Sequence, residues 1–230
     1  MQKILLIQTA FIGDVVLATA LIEKLRQRFP ESKIDFLVRK GNEGLLTQHP
    51  HLHEILIWEK KHRKQINLFK LLFRIRKSKY DAVINVQRFS ATGLLTALSG
   101  ASHTVGFDKN PWGRLFSKRV AHVISTPNKP FHEIQRNQLL IEDITDSEPA
   151  KPTLYPTVTD YEHVRTFKSK PYIIIAPASV WFTKQYPFEK WVSFLNLLSP
   201  TLNVYIIGAP GDKDLGEKIK NGTQHPAVVN

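Results

Sequence analysis

Hydrophobic positions fall along this chain in two alternating textures: short unbroken apolar runs, and longer stretches in which apolar residues return every three or four positions. Ile4–Ile7 is the first unbroken run and reads as a strand covered on both faces, because a strand with one wet face would alternate. From Val15 onward Val16, Ala20, Leu21, Leu25 and Phe29 recur at helical spacing, Glu23, Lys24, Arg26, Gln27 and Arg28 lie off that face, and Pro30 ends the pattern. The same reading predicts strands over Lys33–Val38, Glu54–Trp58, Asp81–Val86, Thr104–Phe107, Tyr172–Ala176 and Asn203–Ile207. It predicts helices over Gln65–Lys77, Ser90–Leu98, His132 to about Ile144, and Phe188–Leu198, with a loop and short helix over Gly41–Gln48. Strands that alternate with helices define an α/β chain built on parallel sheets. Pro149, Pro152 and Pro156 among polar residues read as an extended linker, which divides the chain into a domain over residues 1–148, a linker over 149–170 and a second domain over 171–230.

In an open parallel sheet, ligands bind beyond the carboxyl ends of the strands, so chemistry is expected in the turns that follow them. The first turn, Thr9-Ala10-Phe11-Ile12-Gly13-Asp14, has one glycine where a dinucleotide-binding turn needs three, which argues against a nicotinamide or flavin enzyme. Asp14 there reads two ways: as the cap of the following helix, or as an acid–base group facing the crevice. The loop Pro177–Pro187 sets Lys184 just before a helix, where its charge, with Ser179, Thr183 and free backbone N–H groups, suits a pyrophosphate. Gly208-Ala209-Pro210-Gly211-Asp212 is a further ligand-loop candidate. The close histidines His49, His51 and His53 lack the supporting ligands of a closed metal site, and no metal is expected.

Thirty-two Lys and Arg against twenty Asp and Glu give a formal charge of +12, which points to an anionic partner. Much of it is local: Lys60, Lys61, Arg63, Lys64, Lys70, Arg74, Arg76, Lys77 and Lys79 belong to one segment. Within it Ile66, Phe69, Leu72, Phe73 and Ile75 have helical spacing, read as core packing, with Lys70, Arg74 and Lys77 on another face available for peripheral attraction to an anionic membrane. No zinc-finger or RNA-recognition motif accompanies the charge, so no specific nucleic-acid partner is expected. The absence of cysteine excludes disulfides and thiolate metal sites, and neither a membrane-spanning run nor a signal-peptide pattern is visible, giving a cytoplasmic assignment.

The run Phe11-Ile12-Gly13-Asp14-Val15-Val16-Leu17-Ala18-Thr19 resembles the amino-terminal signature of the ADP-heptose:lipopolysaccharide heptosyltransferase family. Pro177-Ala178-Ser179-Val180-Trp181-Phe182-Thr183-Lys184-Gln185-Tyr186-Pro187 is similar to that family's nucleotide-phosphate loop, and Thr104–Phe107 and the His132-led helix resemble further parts of it. The resemblance implies a GT-B glycosyltransferase of two Rossmann-like domains, with the acceptor on the first, the nucleotide sugar on the second and reaction in the cleft. It implies Asp14 as general base for an inverting transfer, Ser179, Thr183 and Lys184 as the nucleotide-sugar site, and Gly13, Arg88 and Ser90 on the acceptor side. The partners implied are ADP-heptose or a related nucleotide sugar and a lipopolysaccharide core acceptor, with no cofactor. Family members continue past the strand that begins near Ala227, so the second domain reads as incomplete, and a chain of this extent is not expected to complete the transfer alone. Two other readings stay open: a transferase of the same fold with another nucleotide sugar, and a non-catalytic binder of anionic surfaces or nucleic acid.

Overall fold

The computed structural model describes residues 1–128 and 130–230 and divides them into two compact units, Met1–Tyr155 and Pro156–Asn230. The first unit is a six-stranded parallel sheet of β1 (Lys3–Ile7), β2 (Lys33–Arg39), β3 (Glu54–Trp58), β4 (Ala82–Asn85), β5 (His103–Phe107) and β6 (Lys118–Val120), in spatial order β3-β2-β1-β4-β5-β6. Parallel strands need long crossovers, and here they are supplied chiefly by α1 (Ile12–Arg28), α2 (Lys64–Ser78) and α3 (Ser90–Ala97), with α4 (Glu133–Gln138) following β6. Alternate side chains of one strand feed opposite faces: Ile4 and Leu6 pack with Val15, Leu21, Leu25 and Ile141, whereas Leu5 and Ile7 pack with Leu68, Leu72, Ile75 and Leu95. Every central strand is therefore sealed on both sides, which is why its sequence shows no alternation.

Several expectations are corrected. Ile66, Phe69 and Phe73 do not enter the core; they are 52%, 52% and 71% exposed, and Leu68, Leu71, Leu72 and Ile75 form the buried face of α2 instead. The helix begun after His132 ends at Gln138 and continues to Ile144 as tight turns, with Leu140, Ile141 and Ile144 donating to carbonyls three residues back. The Gln138 amide, bonded to Thr145 Oγ1 at 3.1 Å and to Asp146 O, draws the chain out of the helical path. Strand β6 was not foreseen, because three residues rich in charge at a sheet edge carry no apolar run.

The linker differs too. Residues 149–155 are extended and belong to the first unit, where Thr153 N–H donates to Thr19 Oγ1 at 3.0 Å and Tyr155 OH to Glu23 Oε1 at 2.9 Å. Val158–Arg165 then forms a helix, α5, whose start is fixed by Thr157: its Oγ1 accepts from Asp160 N–H at 3.0 Å while the Asp160 carboxylate accepts from Thr157 N–H at 2.7 Å, a capping box. The second unit continues with β7 (Tyr172–Ile175), α6 (Phe188–Asn196), β8 (Asn203–Ile206), α7 (Lys213–Gly222) and β9 (Val228–Val229), its strands parallel in the order β7-β8-β9. Its core is small: Ile175, Val204, Ile206 and Val228 of the sheet pack with Leu195 and Ile219 of the helices.

Two of the clustered histidines serve the first unit's own packing. His53 Nδ1 lies 2.8 Å from Asp35 Oδ1, and the fully buried Asp35 also accepts from Tyr80 OH at 2.6 Å. His49 is buried against Tyr155, ring centroids 4.7 Å apart, with Nε2 3.3 Å from Glu23 Oε1. Burial, and secondarily His51, push its pKa down to about 4, so it is neutral at neutral pH and its approach to Glu23 is not an ion pair. Because the unfolded chain binds a proton there near 6.5, the native state holds fewer protons between 6.5 and about 4, and stability falls as pH falls through that window. The drop in denaturation midpoint across this range is expected to be smaller in His49→Phe than in the parent, measured by chemical unfolding of both proteins at matched pH.

Candidate active site

The order of the larger sheet places a topological switch between β1 and β4: the strands numbered next after β1 lie on one side of it and those from β4 onward on the other. The chain leaves both carboxyl ends there, and the crevice floor is closed by amides rather than by a glycine turn. Gln87 Nε2 donates to Gln8 Oε1, Thr9 Oγ1 donates to Gln87 Oε1 at 3.0 Å, and Gln87 N–H donates to Asn85 Oδ1 at 2.9 Å, all within the interior. Asn110 fixes the outgoing loop by donating to the carbonyls of Gln87 and Phe89, both at 3.1 Å. It is packed so closely on α3 that a Cβ on Gly93 would come within 2.0 Å of its Oδ1.

Above this floor stands a lysine that sequence reasoning counted only as surface charge. Lys60 Nζ donates to Thr9 O at 2.8 Å and Thr9 Oγ1 at 2.9 Å, and lies 4.6 Å from the centre of the Trp58 ring. Burial, then Arg39 and Lys64, lower its pKa to about 8. Two cavities of about 510 and 500 Å3 share Lys60 and Trp58, the first bounded also by Arg39 and Lys40, the second by Thr9, Gln87 and Ser90. The available sequence signal was positional: Lys60 comes two residues after the carboxyl end of β3.

Asp14 lies inside α1, not before it. Phe11 is the N-cap residue, Asp14 occupies the first turn, and its Oδ2 accepts from Phe11 N–H at 3.0 Å. Among the described residues Oδ1 accepts no hydrogen bond, and a Cβ placed on the neighbouring Gly13 would meet nothing within 4 Å, so the approach to this turn is open. Ser90 lines the second cavity and its Oγ accepts from Trp112 Nε1 at 3.0 Å, whereas Gly13, Asp14 and Arg88 lie outside that lining and Arg88 is exposed.

In the second unit, Phe182–Lys184 forms one turn of 3-10 helix ahead of α6. Ser179 Oγ accepts from Trp181 N–H at 3.1 Å, and Gln185 Nε2 donates to Ser179 O at 2.7 Å; these bonds fold the loop back on itself and leave Thr183 and Lys184 exposed. A cavity of about 420 Å3 opens at the carboxyl ends of β7 and β8, bounded by Pro177, Gly208, Ala209, Asp212 and Lys213 among others. Asp212 Oδ2 accepts from Ala209 N–H at 2.8 Å, and a Cβ on Gly208 would lie 2.9 Å from Asp212 Cβ, so this turn depends on glycine. Ser179, Thr183 and Lys184 are not among the residues bounding the cavity.

Two Rossmann-like parallel sheets, each with its open loops at the strand carboxyl ends, define an α/β protein of GT-B type. The profile of glycosyltransferase family 9 (heptosyltransferase) matches residues 68–229, and the chain belongs to that family. It is 24% identical to lipopolysaccharide heptosyltransferase 3 of Escherichia coli, over 95% of this chain and 68% of that protein. Its fold is similar to that of a family 9 glycosyl transferase from Veillonella parvula, with a TM-score of 0.81 at 19% identity over 99% of this chain and 69% of the other. It is also similar to the E. coli heptosyltransferase WaaC with ADP, with a TM-score of 0.72 at 18% identity over the whole of this chain and 75% of the other.

Lys60 gives a direct test of the first unit's electrostatics. Its side-chain NMR signal is expected to titrate near pH 8, and Arg39→Gln, by removing a neighbouring cation, should move that midpoint upward. A midpoint at the ordinary lysine value would mean that Lys60 is not desolvated beside Arg39 and Lys64.

Proposed function

We propose that this protein transfers heptose from ADP-heptose to the inner core of lipopolysaccharide, with inversion, the first unit holding the acceptor and the second the donor. The observation that carries the reading is the family 9 heptosyltransferase match over residues 68–229, which spans the loop Pro177–Pro187. A relative named for lipopolysaccharide heptose transfer and a similar fold solved with ADP support the substrate classes.

In this reaction an acceptor hydroxyl oxygen attacks the anomeric carbon, the bond from that carbon to the ADP phosphate oxygen breaks, the hydroxyl proton passes to Asp14, and ADP departs. The first turn of α1 suits a base: one carboxylate oxygen is engaged by Phe11 N–H, which orients the group, and the other is left for the substrate. The departing diphosphate would meet Lys184, Thr183, Ser179 and the unpaired N–H groups that begin α6. Gly13 leaves room for the sugar to approach, and Arg88 and Ser90 flank the acceptor. Lys60, bonded among the described residues only to neutral oxygens, adds a cation for an anionic acceptor. Among the described residues no helix is long and apolar enough to cross a membrane, and the protein meets its amphiphilic acceptor peripherally, from the cytoplasmic side of an anionic membrane.

In a version extended to a full second domain, assayed with ADP-heptose and a lipid A–Kdo acceptor, Asp14→Asn should lower transfer by about 10²–10⁴-fold, the usual worth of general-base assistance. Its thermal midpoint should stay near the parent's, because Asn still presents an oxygen to Phe11 N–H. Lys184→Ala should leave folding unchanged and weaken ADP binding measured by calorimetry. Parental transfer by Asp14→Asn would remove Asp14 from the mechanism, and unchanged ADP affinity in Lys184→Ala would remove the second-unit loop.

A further inference from the structure

The corrected burial of α2 leaves a feature that the transfer reaction does not use. With Leu68, Leu71, Leu72 and Ile75 turned into the core, Ile66 and Phe73 lie almost opposite them on the helical wheel and Phe69 stands beside that outer line. Three large apolar side chains at i, i+3 and i+7 thus form a ridge on the outer surface. The helix carries no acidic residue. Two of its cations are engaged, Arg74 with Glu54 at 2.6 Å and Arg76 with the Leu98 carbonyl at 2.8 Å. Lys70 and Lys77 form no salt bridge among the described residues and stand exposed beside the ridge, whereas Lys64 borders the crevice cavity with Lys60.

The helix ends are built against local preference. Arg63, the N-cap residue, has φ 47° and Lys79, at the other end, φ 51°; neither is a glycine or asparagine, and no side chain caps the amino terminus. Lys61, Arg63 and Lys64 lie at the end where the helix dipole is positive, so their charges oppose it. An anion arriving there would relieve that opposition, and the apolar ridge beside it needs a surface that accepts aromatic and aliphatic groups together with cations. A bilayer with anionic headgroups has that chemistry: an interfacial helix lies flat with its apolar line in the acyl boundary and its lysines at the phosphates. Nucleic acid suits it less well, since bases stack on flat platforms or in grooves, whereas these rings project from a convex ridge that includes an isoleucine.

We propose that α2 is the membrane-docking surface of this protein, with Ile66, Phe69 and Phe73 entering an anionic phospholipid interface and Lys70 and Lys77 meeting its phosphates. The proposal takes from the functional reading only that the acceptor is embedded in lipid; the ridge itself is independent of the transfer chemistry.

The test is flotation of the whole chain with phosphatidylcholine vesicles, with and without phosphatidylglycerol, containing no acceptor. The parent should bind the anionic vesicles and release them as salt is raised. Lys70→Gln with Lys77→Gln should weaken binding by about 5-fold per lysine removed, and Phe69→Ser with Phe73→Ser by at least 10-fold, order-of-magnitude expectations for a helix held by both terms. All four side chains point to solvent, and circular dichroism would verify that both variants fold. In a transfer assay of a version extended to a full second domain, the Phe69→Ser, Phe73→Ser variant should lose activity on vesicle-embedded acceptor while keeping activity on a delipidated acceptor sugar. If that extended version transfers to neither acceptor, the functional reading fails, yet vesicle binding that obeys the substitutions still supports the docking surface. Vesicle binding unaffected by either double substitution overturns it. So does failure of the parent to bind anionic vesicles, whether or not it captures single-stranded oligonucleotides or acidic proteins.

Discussion

The position of β1 between β2 and β4 governs the larger unit. A parallel sheet grows from one strand outward, and when the chain has filled one side it must return past its starting strand to fill the other. That return makes the turns after β1 and β4 diverge, and their divergence opens the crevice that Thr9, Gln87 and Lys60 line. Sealing the strands on both faces then requires helices above and below, so α1 is fixed by the core formed with Ile4 and Leu6, and α2 by the one formed with Leu5 and Ile7. The site is a by-product of how the sheet is filled, and its residues need only be polar and well seated.

Asp14 occupies a position compatible with both of the readings that the sequence left open. As a helix-turn residue its carboxylate receives the Phe11 N–H, and that bond fixes where the group points. The capping contact and the proposed chemistry use different oxygens, so a structural role supplies the orientation that a base requires. Asp212 makes the same contact to Ala209 N–H in the second unit, three residues back along the loop that follows β8. Both sheets therefore close a turn beyond a strand's carboxyl end with one aspartate and one backbone amide.

The central strands β1, β2 and β4 were legible because burial on both faces writes itself as an unbroken apolar run; the edge strand Glu54–Trp58, whose Ile57 stays exposed, still agrees to the residue, and the others to within one or two. What escaped was information that depends on neighbours. β6 is held by register with Val105–Phe107, not by its own charged residues. On α2, a helical pattern with apolar residues on two sides does not declare which side meets the sheet; the choice of Leu68 and Leu71 over Ile66 and Phe69 is made by the space beneath Leu37 and Val83. Lys60 was visible as one of a run of cations and invisible as a half-buried one, because only the fold brings Thr9 beneath it.

The lowered pKa of Lys60 carries a consequence for energetics of a different kind. Its ammonium rests on a carbonyl and a hydroxyl, with Arg39 and Lys64 as its charged influences, so near pH 8 it is protonated only part of the time. An anion seated beside it would favour the charged form and raise its pKa, drawing a fraction of a proton out of solution as the ligand binds. Occupancy of this crevice is thereby linked to hydrogen-ion uptake, and the heat recorded on binding would depend on which buffer gives up the proton.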